Sequence, residues 1–267
     1  MTVLVTGATG NIGRKVVDHL LGSGVSDIRA LTTDPARAGL PEGVETAVGY
    51  LGRPETLPAA LEGVDAMYLA PLPKTAEEVL GLARDAGVTR LVALSGGAHW
   101  QELADTVAAS GIPAAQLGPG EFLENFAGWA GQIARTGTVR EPYPDAAAAP
   151  IGMDDIARTA AVLLADWKSD HAGRMFPITG PATLTRAEIA EQIGVGIGRE
   201  VRYEKCDRAE AEERLKATMG DYGVWYLDLI ASSVDHPQQA NALVEELTGV
   251  PAASVAEWAR ANAGLFS

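Results

Sequence analysis

In the first half of the chain, short apolar runs alternate with stretches of helical period. Val3-Leu4-Val5 is a run of strand length that stops at Gly7. Directly after it, Ile12, Val16, Val17, Leu20 and Leu21 recur at three- and four-residue spacing, the mark of a helix with one buried face, which Gly22 and Gly24 end. The pattern repeats. Residues 28–31 read as a strand, Thr33-Asp34-Pro35 as a turn and N-terminal cap, 44–49 as a strand and 57–61 as a helix. Residues 66–69 form a strand ended by Pro71 and Pro73, and Thr75 with Glu78 three residues on predicts a capping box for a helix running to Gly87. A strand over 91–94, a helix over 103–109 stopped at Gly111-Ile112-Pro113 and a strand over 114–117 complete the series.

Strands that alternate with helices demand a parallel sheet covered on both faces, because right-handed crossovers place the helices there. The expected fold class is α/β, a Rossmann-type doubly wound parallel sheet. Ligands in such sheets bind beyond the carboxyl ends of the strands, so the site should be built from residues 7–13, 32–34, 70–73, 95–100 and 118–122. The second half reads differently. Met153-Asp154-Asp155 opens a helix over 156–164, and 175–179 is a strand. Thr185, with Glu188 at the capping-box position, opens a helix to 193, and 201–204 is a strand. Helices are predicted over 208–219, 222–232, 240–248 and 255–263. There are no internal repeats, and 146–149 is a small alanine-rich loop. The expected organisation is a dinucleotide-binding domain over 1–130 and a small, mostly helical substrate-side lobe over 131–267, packed as one compact unit, with nicotinamide and substrate in the cleft between them.

Composition narrows the function classes. The chain has 267 residues, 47% of them hydrophobic, and no apolar run reaches the length of a membrane span. The N-terminal stretch has no basic region followed by a long apolar one, so no signal peptide is expected. A net charge of −14 repels nucleic acid, and the densest basic stretch, 199–208, is interrupted by Glu200, Glu204 and Asp207. The single cysteine, Cys206, allows no intrachain disulfide, and neither His19 nor His236 has partners at metal-ligand spacing, so no metal is assigned. The expected setting is the cytoplasm, the expected partner a small molecule, and the expected state a monomer or homodimer.

Gly7-x-x-Gly10-x-x-Gly13 lies between the first strand and the first helix. One glycine makes the tight turn, one lets the backbone approach a pyrophosphate, and one lets helix and sheet pack closely. The helix N-terminus then offers free N–H groups and a positive dipole end to phosphate. Gly7, Thr9, Gly10, Asn11, Ile12 and Gly13 are thus the expected phosphate cradle, and Thr32, Ala70, Pro71, Leu72, Ser95 and Pro119, at the strand ends, the rest of the cofactor rim.

Gly7-Ala8-Thr9-Gly10-Asn11-Ile12-Gly13 resembles the opening motif of the NmrA-like group of atypical short-chain dehydrogenase/reductases. Residues 117–126, Leu-Gly-Pro-Gly-Glu-Phe-Leu-Glu-Asn-Phe, are similar to that group's "RPGxFMENF" segment. Ile151-Gly152-Met153-Asp154-Asp155-Ile156-Ala157 is similar to its "I-x-x-x-DIA" segment, and the tail 258–266 also matches. The resemblance covers nearly the whole chain. It implies NAD(P)H-dependent reduction of quinones or azo compounds, with NADP as the expected cofactor and NAD possible, or cofactor sensing without chemistry. Three positions depart from the group. Thr33 stands where an arginine commonly holds the 2′-phosphate, leaving Arg37, Arg14 and Lys15 as available cations. Gly49-Tyr50-Leu51 replaces "G-D-L", so Tyr50 either stacks on adenine or fills its slot. The loop after Ser95 is shorter, and His99-Trp100-Gln101-Glu102 replaces the usual helix start.

Other short-chain reductases use Tyr-x-x-x-Lys as a proton relay. None of the six tyrosines here has a lysine four residues later. Reduction of an activated acceptor survives this, because the cofactor carries the hard chemistry. His99 is the one candidate general acid, with a loop histidine as the alternative. Phe122, Asn125, Phe126 and Trp129 fall at helical spacing, which by itself reads as a core stripe; the resemblance makes them a substrate wall, with Trp100 and Trp225 beside them. The leading reading is an NAD(P)H-dependent oxidoreductase acting on a small, aromatic or quinone-like acceptor. Two alternatives stand: a non-catalytic NAD(P)-binding redox sensor, and a repurposed Rossmann enzyme performing a non-redox step such as cyclisation or isomerisation.

Overall fold

The alternating runs fold as a parallel sheet wrapped by helices. The computed structural model describes residues 1–96 and 100–267. Along the chain come β1 (Val3–Val5), α1 (Asn11–Gly22), β2 (Ile28–Thr32), β3 (Glu45–Val48), α2 (Pro58–Leu61), β4 (Ala66–Leu69), α3 (Ala76–Asp85), β5 (Arg90–Leu94), α4 (Gln101–Ala109) and β6 (Ala114–Leu117). There follow α5 (Ala130–Thr136), β7 (Thr138–Glu141), β8 (Ala147–Ala148), α6 (Met153–Ala165), β9 (Arg174–Phe176) and β10 (Leu184–Thr185). The last are α7 (Arg186–Ile197), β11 (Arg202–Lys205), α8 (Arg208–Met219), α9 (Tyr222–Ser232), α10 (Leu243–Thr248) and α11 (Val255–Ala261). These elements divide between two units. The first is Met1–Pro119, Met153–Ile178 and Leu243–Val250; the second is Gly120–Gly152, Thr179–Ala242 and Pro251–Ser267. Each is assembled from separated stretches, where the sequence reading had two consecutive segments meeting near residue 130.

The first unit is a Rossmann-type α/β fold. Its seven strands run in the order β3-β2-β1-β4-β5-β6-β9, every neighbouring pair parallel. Side chains alternate across a strand. Leu4, Met67, Leu69, Leu91 and Ala93 therefore share one face, where they join Ala60 and Leu61 of α2, Val79, Leu80 and Ala83 of α3, and Leu103 and Val107 of α4 in one core. Val3, Val5, Tyr68 and Val92 point the other way, to the layer of α1 and α6, and are equally buried. The order reverses between β1 and β4, the topological switch point at which open α/β sheets bind ligands.

The second unit holds a parallel pair, β7 with β11, and an antiparallel pair, β8 with β10, among α5, α7, α8, α9 and α11. Its core gathers Phe126, Trp129, Ile133, Ile189, Ile193 and Trp258. Local chemistry sets several ends. Thr185 and Glu188 form the expected capping box at α7, Thr185 Oγ1 accepting from the Glu188 N–H at 3.2 Å. Thr75 makes no such cap. Its hydroxyl donates instead to the Leu51 carbonyl at 2.8 Å, tying the start of α3 to the turn after β3. The strand expected over 175–179 ends at Phe176, because Pro177 has no N–H to add to the ladder. No described helix is long and apolar enough to cross a membrane.

Candidate functional site

The glycine loop lies at the switch point. Gly7 has φ +60°, the left-handed region that a side chain rarely enters, and its carbonyl accepts from the Gly10 N–H at 2.8 Å. A Cβ on Gly7 would lie 3.0 Å from the Ala70 Cβ at the end of β4, and one on Gly13 would lie 2.2 Å from the Gly7 carbonyl oxygen. The loop is thus as tight as backbone allows. Thr6 clasps the same place. Its hydroxyl donates to the Tyr68 carbonyl and accepts from the Ala70 N–H, both at 2.9 Å, locking the ends of β1 and β4 together. Gly10 caps α1 without a side chain. Among the described residues the N–H groups of Asn11, Ile12 and Gly13 therefore have no partner. Gly7, Thr9, Gly10 and Asn11 are exposed, and Ile12 is half-buried. A glycine cradle that a Cβ would fill, opening onto unpaired helix amides, fits the pyrophosphate of a dinucleotide.

Beyond β2, Thr32 is buried and its hydroxyl accepts from the Asp34 N–H at 3.2 Å, while Thr33 is exposed. Asp34 caps the short 3₁₀ turn Pro35–Arg37, its carboxylate accepting from the Arg37 N–H at 3.3 Å. The three candidate cations separate clearly. Arg14 donates to the carbonyls of Ala38 and Gly39, so it holds the following loop. Lys15 pairs with Asp154 at 3.6 Å. Arg37 is exposed, and its guanidinium has no hydrogen bond or ion pair among the described residues. Tyr50 begins a tight turn in which the Arg53 N–H donates to its carbonyl at 2.9 Å. Its ring folds over Gly52, where a Cβ would sit 2.5 Å from the Tyr50 Cε1, and is 47% exposed.

At the remaining strand ends, Ala70, Pro71 and Leu72 are half-buried, with Ala70 and Leu72 against the core. Ser95 is wholly buried, and its hydroxyl donates to the Gln116 Oε1 at 2.6 Å, within the sheet. That bond, rather than a turn bond to its own backbone, occupies it, so Ser95 offers a ligand only main-chain atoms. Gly96, at φ +91°, lies beneath the Met175 side chain of β9. Trp100 is half-buried against the core, and Pro119 is buried. His99 falls in 97–99, outside the described residues.

In the second unit the aromatic stripe splits. Phe126 and Trp129, 1% and 3% exposed, lie in the core. They are no substrate wall here; the 3₁₀ helix Leu123–Trp129 turns them inward. Phe122 is half-buried and Asn125 exposed. A buried ion pair fixes this helix. Arg186 bonds Glu141 through Nε at 2.8 Å and Nη2 at 2.7 Å, and the Trp129 indole donates to the other Glu141 oxygen at 2.7 Å. The guanidinium lies 4.9 Å from the Trp129 ring centre and 5.3 Å from that of Phe126. Burial works against the Arg186 charge, but Glu141, helped by Tyr226, Glu121 and Tyr203, outweighs it and holds the guanidinium protonated. Nearer the surface, Tyr226 donates to the Glu121 Oε1 at 2.9 Å, and the Asn125 amide donates to the same oxygen at 2.6 Å. Trp225, 37% exposed, lies 4.7 Å from Tyr222 between ring centres.

A family model described as NAD(P)H-binding matches residues 7–118. A (4-alkanoyl-5-oxo-2,5-dihydrofuran-3-yl)methyl phosphate reductase from Streptomyces griseus is 32% identical over 286 residues, 99% of each chain. An NAD(P)H azoreductase from Xenophilus azovorans is 32% identical over 293 residues, again 99% of each chain. The chain belongs to the NmrA-like family of atypical short-chain dehydrogenase/reductases. Its fold is also that of an NADPH-dependent quinone oxidoreductase from Escherichia coli, solved with NADPH, at TM-score 0.88 and 22% identity over 98% of this chain and 99% of that one.

The NAD(P)H-binding segment of this NmrA-like protein opens at Gly7, the first residue of the cradle. Sequence reasoning missed three features of the family member: the Thr6 clasp, the Glu141–Arg186 pair and the Glu121–Tyr226 bond. Thr6 had a local signal, a hydroxyl directly before the first glycine. The other two join residues 45 and 105 positions apart and leave no local trace.

Proposed function

We propose that this chain is an NAD(P)H-dependent reductase of small, flat, quinone-like or azo-type acceptors. The observation that carries the reading is the glycine cradle at the switch point, with the unpaired amides of Asn11, Ile12 and Gly13 facing it. The two full-length relatives, a reductase and an azoreductase, support the acceptor class. When bound, NAD(P)H supplies the hydride. Gly7, Thr9 and Gly10, with those three amides, hold the pyrophosphate. Thr32, Thr33, Arg37 and Tyr50 hold the adenosine end, and the main chain around Ala70, Pro71, Leu72, Ser95 and Pro119 orients the nicotinamide end. Trp100, Phe122, Asn125 and Trp225 offer surface to the acceptor. Without a tyrosine–lysine relay, the acceptor must take a hydride with little acid help, which suits quinones. The proposed setting is the cytoplasm, where a lone buried thiol such as Cys206 stays reduced.

The test is titration of the full chain with NADPH and NADH by cofactor fluorescence, followed by a panel of quinones and azo dyes. Binding with turnover of the panel is expected; binding without turnover would favour the sensor, and no binding would sink both. Two variants refine it. Arg37→Ala should weaken NADPH about tenfold and leave NADH nearly unchanged, since one charge-assisted bond to a phosphate is worth ~1.5 kcal/mol. Equal loss of both cofactors would remove Arg37 from the 2′-phosphate. Phe122→Ala should raise KM for menadione about tenfold, as expected for losing roughly 1.5 kcal/mol of apolar burial, with NADPH Kd unchanged. An unaltered KM would take Phe122 out of the acceptor face.

A further inference from the structure

One amide in the first unit stands where packing alone asks for an apolar side chain. Gln116 follows Ala114 along β6 at a two-residue interval, so it faces the layer of α4, as do Leu91, Ala93 and Ser95 along β5. It is 7% exposed. Its register partner on β5 is Ala93, yet its Oε1 accepts from the Ser95 hydroxyl, two residues further on, at 2.6 Å. The side chain therefore leans toward the carboxyl ends of the strands, the edge at which such sheets bind ligands. Ser95 is wholly buried, so its hydroxyl fixes the amide and reaches no ligand itself. Nε2, with two N–H groups, has no partner among the described residues, and it is not shut off from solvent. Buried polar groups are ordinarily paired, and an unpaired donor costs stability that packing does not recover. On the other side of β6, Met175 of β9 pairs with Gln116 in register. The Met175 side chain crosses the end of β6 to Gly96, where a Cβ would lie 2.5 Å from its Cε and 2.8 Å from its Sδ. An unbranched, exposed thioether is a neighbour that can turn aside. Trp100 packs on the same face of the sheet.

We propose that Gln116 Nε2 is the hydrogen-bond donor to the carbonyl oxygen of the acceptor, with Ser95 as the residue that positions it. The inference rests on the reductase reading and names a group for a task which that reading leaves open. When a quinone receives a hydride with its electron pair at one carbonyl oxygen, an O–H bond forms there. The π electrons pass through the ring, and the opposite oxygen becomes a phenolate. The quinone is reduced by two electrons, NAD(P)H is oxidised to NAD(P)+, and the phenolate takes one proton from water. Charge thus grows on an oxygen before a proton arrives. A fixed N–H aimed at that oxygen bonds it more strongly as the charge develops and needs no reorientation at the moment of reaction. An amide keeps its own proton, so Gln116 steadies the anion without acting as a relay, in a chain that has no tyrosine–lysine pair. Ser95 sets the polarity of the site. With Oε1 held by its hydroxyl, the end of the amide presented to a ligand is the donor.

The experiment compares the full chain with Gln116→Met, which keeps the volume, and Gln116→Glu, which keeps an oxygen for Ser95 and offers the acceptor no donor. Two readouts are taken. One is steady-state reduction of benzoquinone, menadione and duroquinone with NADPH. The other is the infrared carbonyl stretch of isotope-labelled menadione bound in the presence of NADP+. In the unaltered chain that stretch should lie below its position in a solvent without donors, and both variants should abolish the shift. Gln116→Met should lower kcat for menadione about tenfold, the worth of one hydrogen bond to a charged oxygen, with the NADPH Kd unchanged. The loss should be deeper for duroquinone, whose reduced oxygen is more basic, than for benzoquinone. Gln116→Glu should lose more than Gln116→Met, because a carboxylate repels the phenolate. Thermal unfolding of each variant keeps lost packing apart from lost chemistry. An unaltered kcat in Gln116→Met, an equal loss for benzoquinone and duroquinone, or an unshifted stretch in the unaltered chain would overturn the inference, while turnover of menadione by the unaltered chain leaves the reductase reading standing. Absence of NADPH binding and of turnover in the unaltered chain would remove that reading and this inference with it.

Discussion

Gly13→Ala should bind NADPH between about tenfold and a hundredfold more weakly than the parent chain. The added Cβ would lie 2.2 Å from the Gly7 carbonyl oxygen and 3.1 Å from the Ala8 nitrogen, and both are backbone atoms that cannot swing aside. The strain has to be taken up by parting α1 from the loop, at a cost of about 1–3 kcal/mol for forced overpacking. Each 1.4 kcal/mol is about tenfold in affinity, and the loop that must yield is the proposed phosphate cradle. Gly13 is buried under the first turn of α1, so some of the cost will appear as lost stability. Fluorescence titration with NADPH, alongside thermal unfolding, separates the two. An unchanged Kd would show that the cradle tolerates a shifted helix and that the tightness of the loop is not what holds the dinucleotide.

Arg186→Ala should destabilise the chain by about 3–5 kcal/mol, the usual cost of stranding one member of a buried ion pair. The partner left behind is Glu141, 7% exposed, with only the Trp129 indole among the described residues to bond its side chain. The variant also removes the guanidinium from its place against the rings of Phe126 and Trp129. Against a typical total of roughly 5–15 kcal/mol this is a large share. A double variant makes the cause testable. Arg186→Met with Glu141→Gln removes both charges, keeps a bulky side chain over the rings and leaves an amide oxygen for Trp129. It should be more stable than either single change in urea unfolding followed by far-UV dichroism. If the double variant lost the sum of the two single losses, the pair would not be acting as a unit.

Much of the first unit is legible in the sequence, because its signals are local. Short apolar runs next to helical-period stretches and glycines after the first strand are each read within a dozen residues, whereas the strand expected over 175–179 runs through Pro177, which ends it. The parallel sheet and its switch point follow from handedness rules, not from any residue. Errors fell where a side chain had two possible partners. Thr75 has Glu78 at cap spacing, yet its hydroxyl reaches the Leu51 carbonyl, a tertiary contact that the spacing cannot show. Phe122, Asn125, Phe126 and Trp129 share one period, and only the surrounding fold decides that Phe126 and Trp129 face the core while Asn125 faces outward. Among Arg14, Lys15 and Arg37, equal as cations on paper, the carbonyls of Ala38 and Gly39 and the Asp154 carboxylate claim the first two. Glu121 lies inside a segment that carries the family resemblance, but the hydrogen bond it accepts comes from Tyr226, 105 positions away.

The way the first unit is stitched from three stretches bears on how the chain is made. During synthesis, β1 to β6 leave the ribosome before α6 and β9 exist, so the face carrying Val3, Val5, Tyr68 and Val92 lacks one of its two covering helices, and β6 has an open edge. Nascent sheets in that condition expose apolar surface and unpaired strand edges to their surroundings. The stretch that emerges in the interval, Gly120–Gly152, contains β7, whose own partner β11 comes some sixty residues later. Neither unit can finish folding before most of the other has been translated.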